Sequence, residues 1–239
     1  MIGDMMHLVG SAVKGVTEVG RGKPYNRGMK RGKYELKKRA ERQEETRLKI
    51  ARATLELHES VGPSLTTRSA IAERAGVTRP TVYSHFPDDL SLNEACTSLD
   101  RSENPLPDPG RWEEISDPEE RLRSALGDLY SYFRRRERLW ANILRDQELL
   151  YSNGDPEALE MAAEIMGPIL SHWDRMKETI ASGWGPSEGI PRVLLGAVGV
   201  ALDFQTWRAM VRTQGMSEEQ AIELMVGMVR CMADGAGPA

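Results

Sequence analysis

Arg79, Thr81, Tyr83 and His85 are placed where side chains can hydrogen-bond a polyanion, with Thr67 and Thr78 ahead of them in the same stretch. Val82 and Phe86 stand at i and i+4, so they share one face of a short helix and pack inward. That leaves Arg79, Thr81, Tyr83 and His85 towards solvent or a partner. Hydroxyls, a guanidinium and an imidazole at the start of a short helix suit the phosphates and base edges of a DNA major groove. Arg68 is a further candidate for a base edge or phosphate. His85 has a second reading, in which it orients Phe86 or caps a neighbouring helix.

Other chemistries find little support. Gly185-Pro186-Ser187-Glu188-Gly189 has the spacing of a nucleophile elbow, but it falls between two expected helices rather than on a strand-to-helix turn. His7, His58, His85 and His172 form no ligand pair at helical spacing, and Cys96 and Cys231 are isolated. No phosphate loop or dinucleotide fingerprint occurs. The chain is therefore expected to be neither an enzyme nor a cofactor or metal carrier.

Each element around these residues has a local reason. Thr67 caps a first helix whose Ile71, Ala72 and Ala75 let a neighbour approach closely. Gly76 permits the positive φ of a tight turn, Thr78 caps the second helix, and Pro80 fits its first turn. Upstream, Ile50, Ala53, Leu57 and Val61 form one apolar stripe, ended by Gly62 and Pro63. Another helix is expected from about Asp88 to Arg101, followed by a proline-rich linker at residues 104–110. Further on, Asp117-Pro118 opens a helix through Phe133, and a separate one covers about residues 137–150. Asp155-Pro156 opens a long one, Pro191 an apolar one through Val211, and Ser217 with Gln220 forms a capping box for the last. No alternating strand is seen, so the fold class is all-α.

Charge is unevenly spread. The net charge is −4, yet residues 21–42 hold ten Lys or Arg against Glu35 and Glu41, a surplus of eight. Residues 102–239 hold fourteen basic and twenty-three acidic side chains, a deficit of nine. A basic arm on an acidic body is a feature that total charge hides. Residues 193–202, the longest apolar run, are half of the ~20 that a membrane helix needs, so no membrane role is expected. The N-terminus lacks a signal-peptide pattern, and two cysteines suit a reducing cytoplasm.

The string "TTRSAIAERAGVTRPTVYSHF", preceded by Ile50-Ala-Arg-Ala and followed by Pro87, resembles the DNA-binding domain of TetR-family regulators. The resemblance covers residues 44–101, and a weaker one covers 203–225. It implies a helix-turn-helix at 67–86 within a domain at 44–103 and an effector-binding and dimerisation domain at 112–239, while residues 1–43, without hydrophobic periodicity and rich in Gly and basic side chains, read as a flexible basic arm. It also implies a homodimer on a palindromic double-stranded operator, repressing transcription until a ligand binds. Carried over by position, Thr67 and Tyr83 meet phosphates, Thr78, Arg79 and Thr81 face the groove, and His85 lies near the DNA backbone. Two positions depart from the family pattern. Asp89 stands where a phosphate-binding Lys is common, and His58 where a core aromatic or aliphatic residue is usual. Asp89 would repel phosphate, and Lys37, Lys38, Arg39 and Arg42 of the arm are candidates to compensate, unless they form only a solvated tail.

In the C-terminal segment, Phe133, Trp140, Trp173 and Trp207 are candidates to line an apolar effector cavity, the alternative being that they fill the core. Gly196, Gly199, Leu202, Met225 and Met228 are candidates for dimerisation, against burial within one subunit. The competing functional classes are a non-specific DNA-packing protein and an all-α small-molecule-binding protein or enzyme with a degenerate helix-turn-helix.

Overall fold

Side-chain oxygens mark where most of the helices begin. A computed structural model describes residues 27–184 and 190–235, and every regular element among them is helical. In chain order these are α1 (Arg27–Ser60), α2 (Arg68–Ala75), α3 (Arg79–His85), α4 (Asp89–Glu103) and α5 (Gly110–Glu113). They continue as α6 (Pro118–Asn153), α7 (Pro156–Ala181), α8 (Arg192–Ala201), α9 (Phe204–Arg208) and α10 (Glu218–Gly235). Thr67, Thr78, Asp88, Asp117, Asp155 and Asp203 each accept a hydrogen bond from a first-turn amide. Each cap satisfies an amide that has no partner within its own helix. The expected capping box closes in both directions: the Ser217 amide donates to Gln220 Oε1 at 2.9 Å, and the Gln220 amide donates to Ser217 Oγ at 3.2 Å.

Three boundaries differ from the sequence expectation. Helix α1 starts at Arg27 rather than near residue 44. Its first half has no apolar stripe because residues 34–45 are exposed, but Lys, Arg, Glu and Leu are good helix formers without one. The two helices expected on either side of residue 135 form one element, interrupted at Arg136 (φ −113°, ψ 16°). The apolar helix expected to reach Val211 stops at Ala201, where Asp203 caps a new helix by accepting from the Thr206 amide at 2.7 Å. A π-helical turn at Ala209–Thr213 then follows α9. Residues 1–26 of the expected arm and the 185–189 string lie outside the described residues.

Residues 1–44 and 45–239 form two units. In the first, the described residues are helical, and Lys37 pairs with Glu41 at 3.8 Å. The second has two principal cores. One packs Ile50, Ala53 and Leu57 of α1 against Ile71, Ala72, Val82, Phe86 and Leu92. Val61 falls beyond the end of α1 and is exposed. The other gathers Leu122, Leu126, Leu129 and Phe133 of α6 with residues of α7, α8 and α10. Leu55, Cys96 and Leu139 join α1, α4 and α6 between them.

Candidate functional site

The α2–turn–α3 segment has the geometry that its residues demand. Gly76 adopts φ 67°, ψ 33°; its amide donates to the Glu73 carbonyl and the Val77 amide to the Ala72 carbonyl. This paired closure ends α2 and turns the chain into α3. Thr78 Oγ accepts from the Thr81 amide at 3.3 Å and lies 2.8 Å from Thr81 Oγ, so both hydroxyls sit at the N-terminus of α3. Val82 and Phe86 are fully buried beneath this helix. Arg79 is exposed, donates to Tyr83 Oη at 3.3 Å and covers the Tyr83 ring at 5.6 Å. Thr67, Thr78, Arg79, Thr81 and Tyr83 thus lie along two adjacent helix starts, with donors and acceptors open to a partner. The His85 carbonyl accepts from Arg47 Nη1 at 3.0 Å, and the Arg47 guanidinium stacks on Phe86 at 4.2 Å.

Arg68 departs from its expected role. Its guanidinium donates to the Phe86 carbonyl at 2.7 Å and to Asp89 Oδ1 at 2.6 Å, and it lies 5.1 Å from the Tyr83 ring. Only 11% of its side chain is exposed. Arg68 is therefore a brace between α2 and the α3–α4 junction, not an arm free to reach a base. The same pair changes the reading of Asp89. Its charge is matched by Arg68, so the expected bare repulsion of phosphate is reduced. Lys37, Lys38, Arg39 and Arg42 are exposed on the first half of α1, within the separate N-terminal unit.

Side chains of α6 hold the end of α1. Asn142 Nδ2 donates to the carbonyls of His58 and Glu59 at 3.0 and 2.9 Å, and Arg145 Nη2 donates to the Val61 carbonyl at 2.8 Å. Asp146 Oδ2 accepts from the Ser64 amide at 2.8 Å. Gly62 passes so close to Arg145 and Asp146 that a Cβ there would collide with both, and its φ is +98°. At the α6 interruption, the buried Arg136 bonds Glu59 of α1 and lies 2.5 Å from Asp100 of α4. These ties connect the helix-turn-helix to the body of the chain.

Next to them lies a cavity of about 350 Å³, walled by α1, α4, α6 and α7. Trp140 lines it, as expected, but Phe133, Trp173 and Trp207 do not. Phe133 packs within 5.9 Å of Trp173, 5.7 Å of Trp207 and 5.3 Å of Phe204, so these rings fill the core. Helical periodicity puts a ring on an inward face but does not say whether that face meets a void. Sequence reasoning did not assign the polar wall residues to the cavity, among them His58, Cys96, Asp100 and Asp146. The departure at His58 was the available signal, since an imidazole on a core face needs a polar partner. Burial lowers the His58 pKa to about 4, against a smaller opposing effect of Asp146, so the ring is neutral at pH 7. Burial also pushes the Cys96 thiol up to about 12, and raises Asp100 despite Arg136.

The dimerisation candidates separate into two groups. Leu202 and Met225 are buried within the subunit, because α8 and α10 turn them into the core. Gly196 has open space beside it, Gly199 meets only Lys177 at 3.9 Å, and Met228 is exposed. With Met228, the exposed apolar side chains Val193 and Val200 of α8 and Leu224 and Met232 of α10 were not anticipated. Both cysteines are free, Cys96 buried and Cys231 exposed. No helix among the described residues is long and apolar enough to cross a membrane.

Residues 50–92 match the bacterial regulatory proteins of the tetR family. No curated protein matches the chain. Among solved structures, a tetR-family transcriptional regulator of Mesorhizobium loti is similar with a TM-score of 0.55 at 18% identity, covering 81% of this chain and 98% of that one. One from Streptomyces coelicolor gives 0.50 at 19% identity, covering 82% and 90%. A Clostridium perfringens protein described as a fatty acid metabolism regulator gives 0.51 at 15% identity, covering 80% and 100%. At these identities the likeness establishes a shared fold over most of the chain. The match at 50–92 runs from the second half of α1 to the start of α4 and likens the segment around α2 and α3 to the tetR-family regulatory proteins.

Proposed function

We propose that this chain, a DNA-binding transcription regulator with a tetR-family helix-turn-helix, acts as a homodimeric repressor on a palindromic operator and is released by a small molecule. The observation that carries the reading is the exposed start of α3. There Thr78, Thr81, Arg79 and Tyr83 stand together on a helix whose other face is buried through Val82 and Phe86. Such a helix is short enough to enter a major groove with its first residues at base edges, while Thr67 and Tyr83 meet flanking phosphates.

Residues 44–103 are the DNA-binding domain and 112–239 the regulatory one, with 1–43 as a basic arm. Lys37, Lys38, Arg39 and Arg42 add phosphate contacts and so steepen the dependence of affinity on salt. Two copies associate through the exposed apolar face of α8 and α10, around Val193, Gly196, Val200, Leu224 and Met228. A two-fold pair of this kind presents two recognition helices to half-sites one DNA turn apart. The cavity beside the α1–α6 ties receives the effector, because an occupant there touches helices of both domains. The protein works in the cytoplasm, where its operator is.

Footprinting of the purified full-length protein on genomic fragments, including the DNA upstream of its own gene, tests this. A discrete protected palindrome that survives competitor DNA is expected. Salt-sensitive coating of any fragment would instead make it a packing protein. Absence of binding at low salt would return it to the class of all-α binding proteins or enzymes.

A further inference from the structure

The cavity wall holds a buried imidazole whose hydrogen bonding is incomplete. His58 lies on α1, the helix that carries the first core of the DNA-binding domain, and is 9% exposed. Its Nδ1 is 3.7 Å from Cys96 Sγ, while its Nε2 makes no hydrogen bond to the described residues. Both residues line the cavity. The two wall carboxylates are already engaged, Asp100 by Arg136 at 2.5 Å and Asp146 by Arg145 at 2.7 Å and by the Ser64 amide. Arg101, the one cation in the wall, is exposed. Ser64, Asn93, Thr97, Tyr132 and Gln147 add neutral polar groups, and the rest of the wall is apolar, with Leu139, Trp140 and Ile143 of α6 and Met161, Ile165 and Met166 of α7.

An anion in this space would lie near two carboxylates, and the wall holds no buried cation to receive it. A cation would have to displace Arg136 or Arg145 from its carboxylate. Either arrangement buries a charge without a free partner, which is costly. An uncharged molecule meets neither difficulty. Its rings would pack on Trp140 and the methionines, which adapt to irregular shapes. The volume corresponds to roughly a dozen waters, enough for one or two fused rings.

Resting on the effector reading above, we infer that the ligand is an uncharged, ring-containing, largely apolar molecule with a hydroxyl or carbonyl held by a hydrogen bond to His58. The ligand then touches α1 directly. The carbonyl of His58 is held by Asn142, and the neighbouring Glu59 is held by Arg136, so a ligand pulling on this imidazole loads the ties between α1 and α6. A neutral imidazole beside a neutral thiol can present Nε2 as donor or as acceptor, which admits either a carbonyl or a hydroxyl.

Calorimetric titration of the full-length protein with four matched probes tests this: 2-naphthol, naphthalene, 2-naphthoate and 2-naphthylmethylammonium. The wild type is expected to bind 2-naphthol at least tenfold more tightly than either charged probe. His58→Phe is expected to weaken 2-naphthol about fivefold, the scale of one neutral hydrogen bond, and to leave naphthalene unchanged. His58→Gln, which keeps a polar group there, is expected to retain most of the 2-naphthol affinity. Equal or tighter binding of a charged probe overturns the ligand class while leaving the cavity as a binding site. Equal weakening of naphthalene and 2-naphthol in His58→Phe overturns the hydrogen bond. Failure of all four to bind overturns the inference and the effector site together. Binding of 2-naphthol without any loosening of a DNA complex leaves the ligand class standing and refutes the sensing role.

Discussion

Acidification will weaken the fold through His58. Burial places this imidazole's pKa at about 4, whereas an unfolded chain returns it to 6.5. Between these values the unfolded state takes up a proton that the folded state refuses. Stability is therefore fully present above about pH 6.5 and is lost as pH falls towards 4. The whole effect is about 3 kcal/mol, and about 2 kcal/mol of it is expressed between pH 8 and pH 5. The perturbation that isolates it is His58→Gln, which keeps a polar side chain and removes the titration. Urea unfolding followed by far-ultraviolet circular dichroism, at pH 8 and pH 5 for both proteins, gives the difference. Asp100, whose raised pKa acts in the opposite direction, is common to both and cancels. The wild type should lose about 2 kcal/mol more than His58→Gln on going to pH 5. Equal losses, to within about 0.5 kcal/mol, would show that the imidazole is not held neutral by burial.

Arg68→Ala should lower stability by about 1–2 kcal/mol in urea unfolding, because it removes the brace to Phe86 and Asp89. On a panel of operator variants it should weaken binding to all of them alike, and a change at one base position would restore Arg68 as a reader. Gly62→Ala should cost about 2–3 kcal/mol by the same unfolding assay, since its φ of +98° strains any other residue and the ends of Arg145 and Asp146 would have to move aside. Val200→Glu combined with Met228→Glu should give a folded monomer in sedimentation velocity, because both sites are exposed. Leu202→Ala and Met225→Ala should instead lower stability, by about 2–5 kcal/mol each, with the dimer retained in the folded fraction.

What could be read from sequence was the chemistry that acts locally. Thr67, Thr78, Asp117, Asp155 and Ser217 each bond amides within three residues, so a helix start is written in a few adjacent letters. Gly76 was legible for the same reason. The interruption at Arg136 was also visible, as a gap between two helical segments, though not that Arg136 reaches Glu59, 77 residues away. Arg68 and Asp89 are 21 residues apart, and sequence gave each a role toward DNA without revealing that they meet. The stop at Leu202–Asp203 was hidden because apolar residues continue on both sides of it. Leu202 and Met225 looked like interface residues for a similar reason: an apolar stripe on a helix does not say whether its own chain or a second copy covers it. The cavity was legible only in part, through Trp140 and the oddness of His58, because a void is a property of four helices together.

The most direct test is selection of binding sites from a randomised DNA library, run in parallel with the wild type and with Arg79→Ala. The wild type is expected to recover a palindrome whose half-site centres lie about one helical turn, or 34–36 Å, apart. Arg79→Ala is expected to lose preference at one position in each half-site, at a cost of about 1–3 kcal/mol for the best site, while recovering the same spacing. Recovery of no common sequence, or of the same sequence with the same affinity by both proteins, would contradict readout by the start of α3.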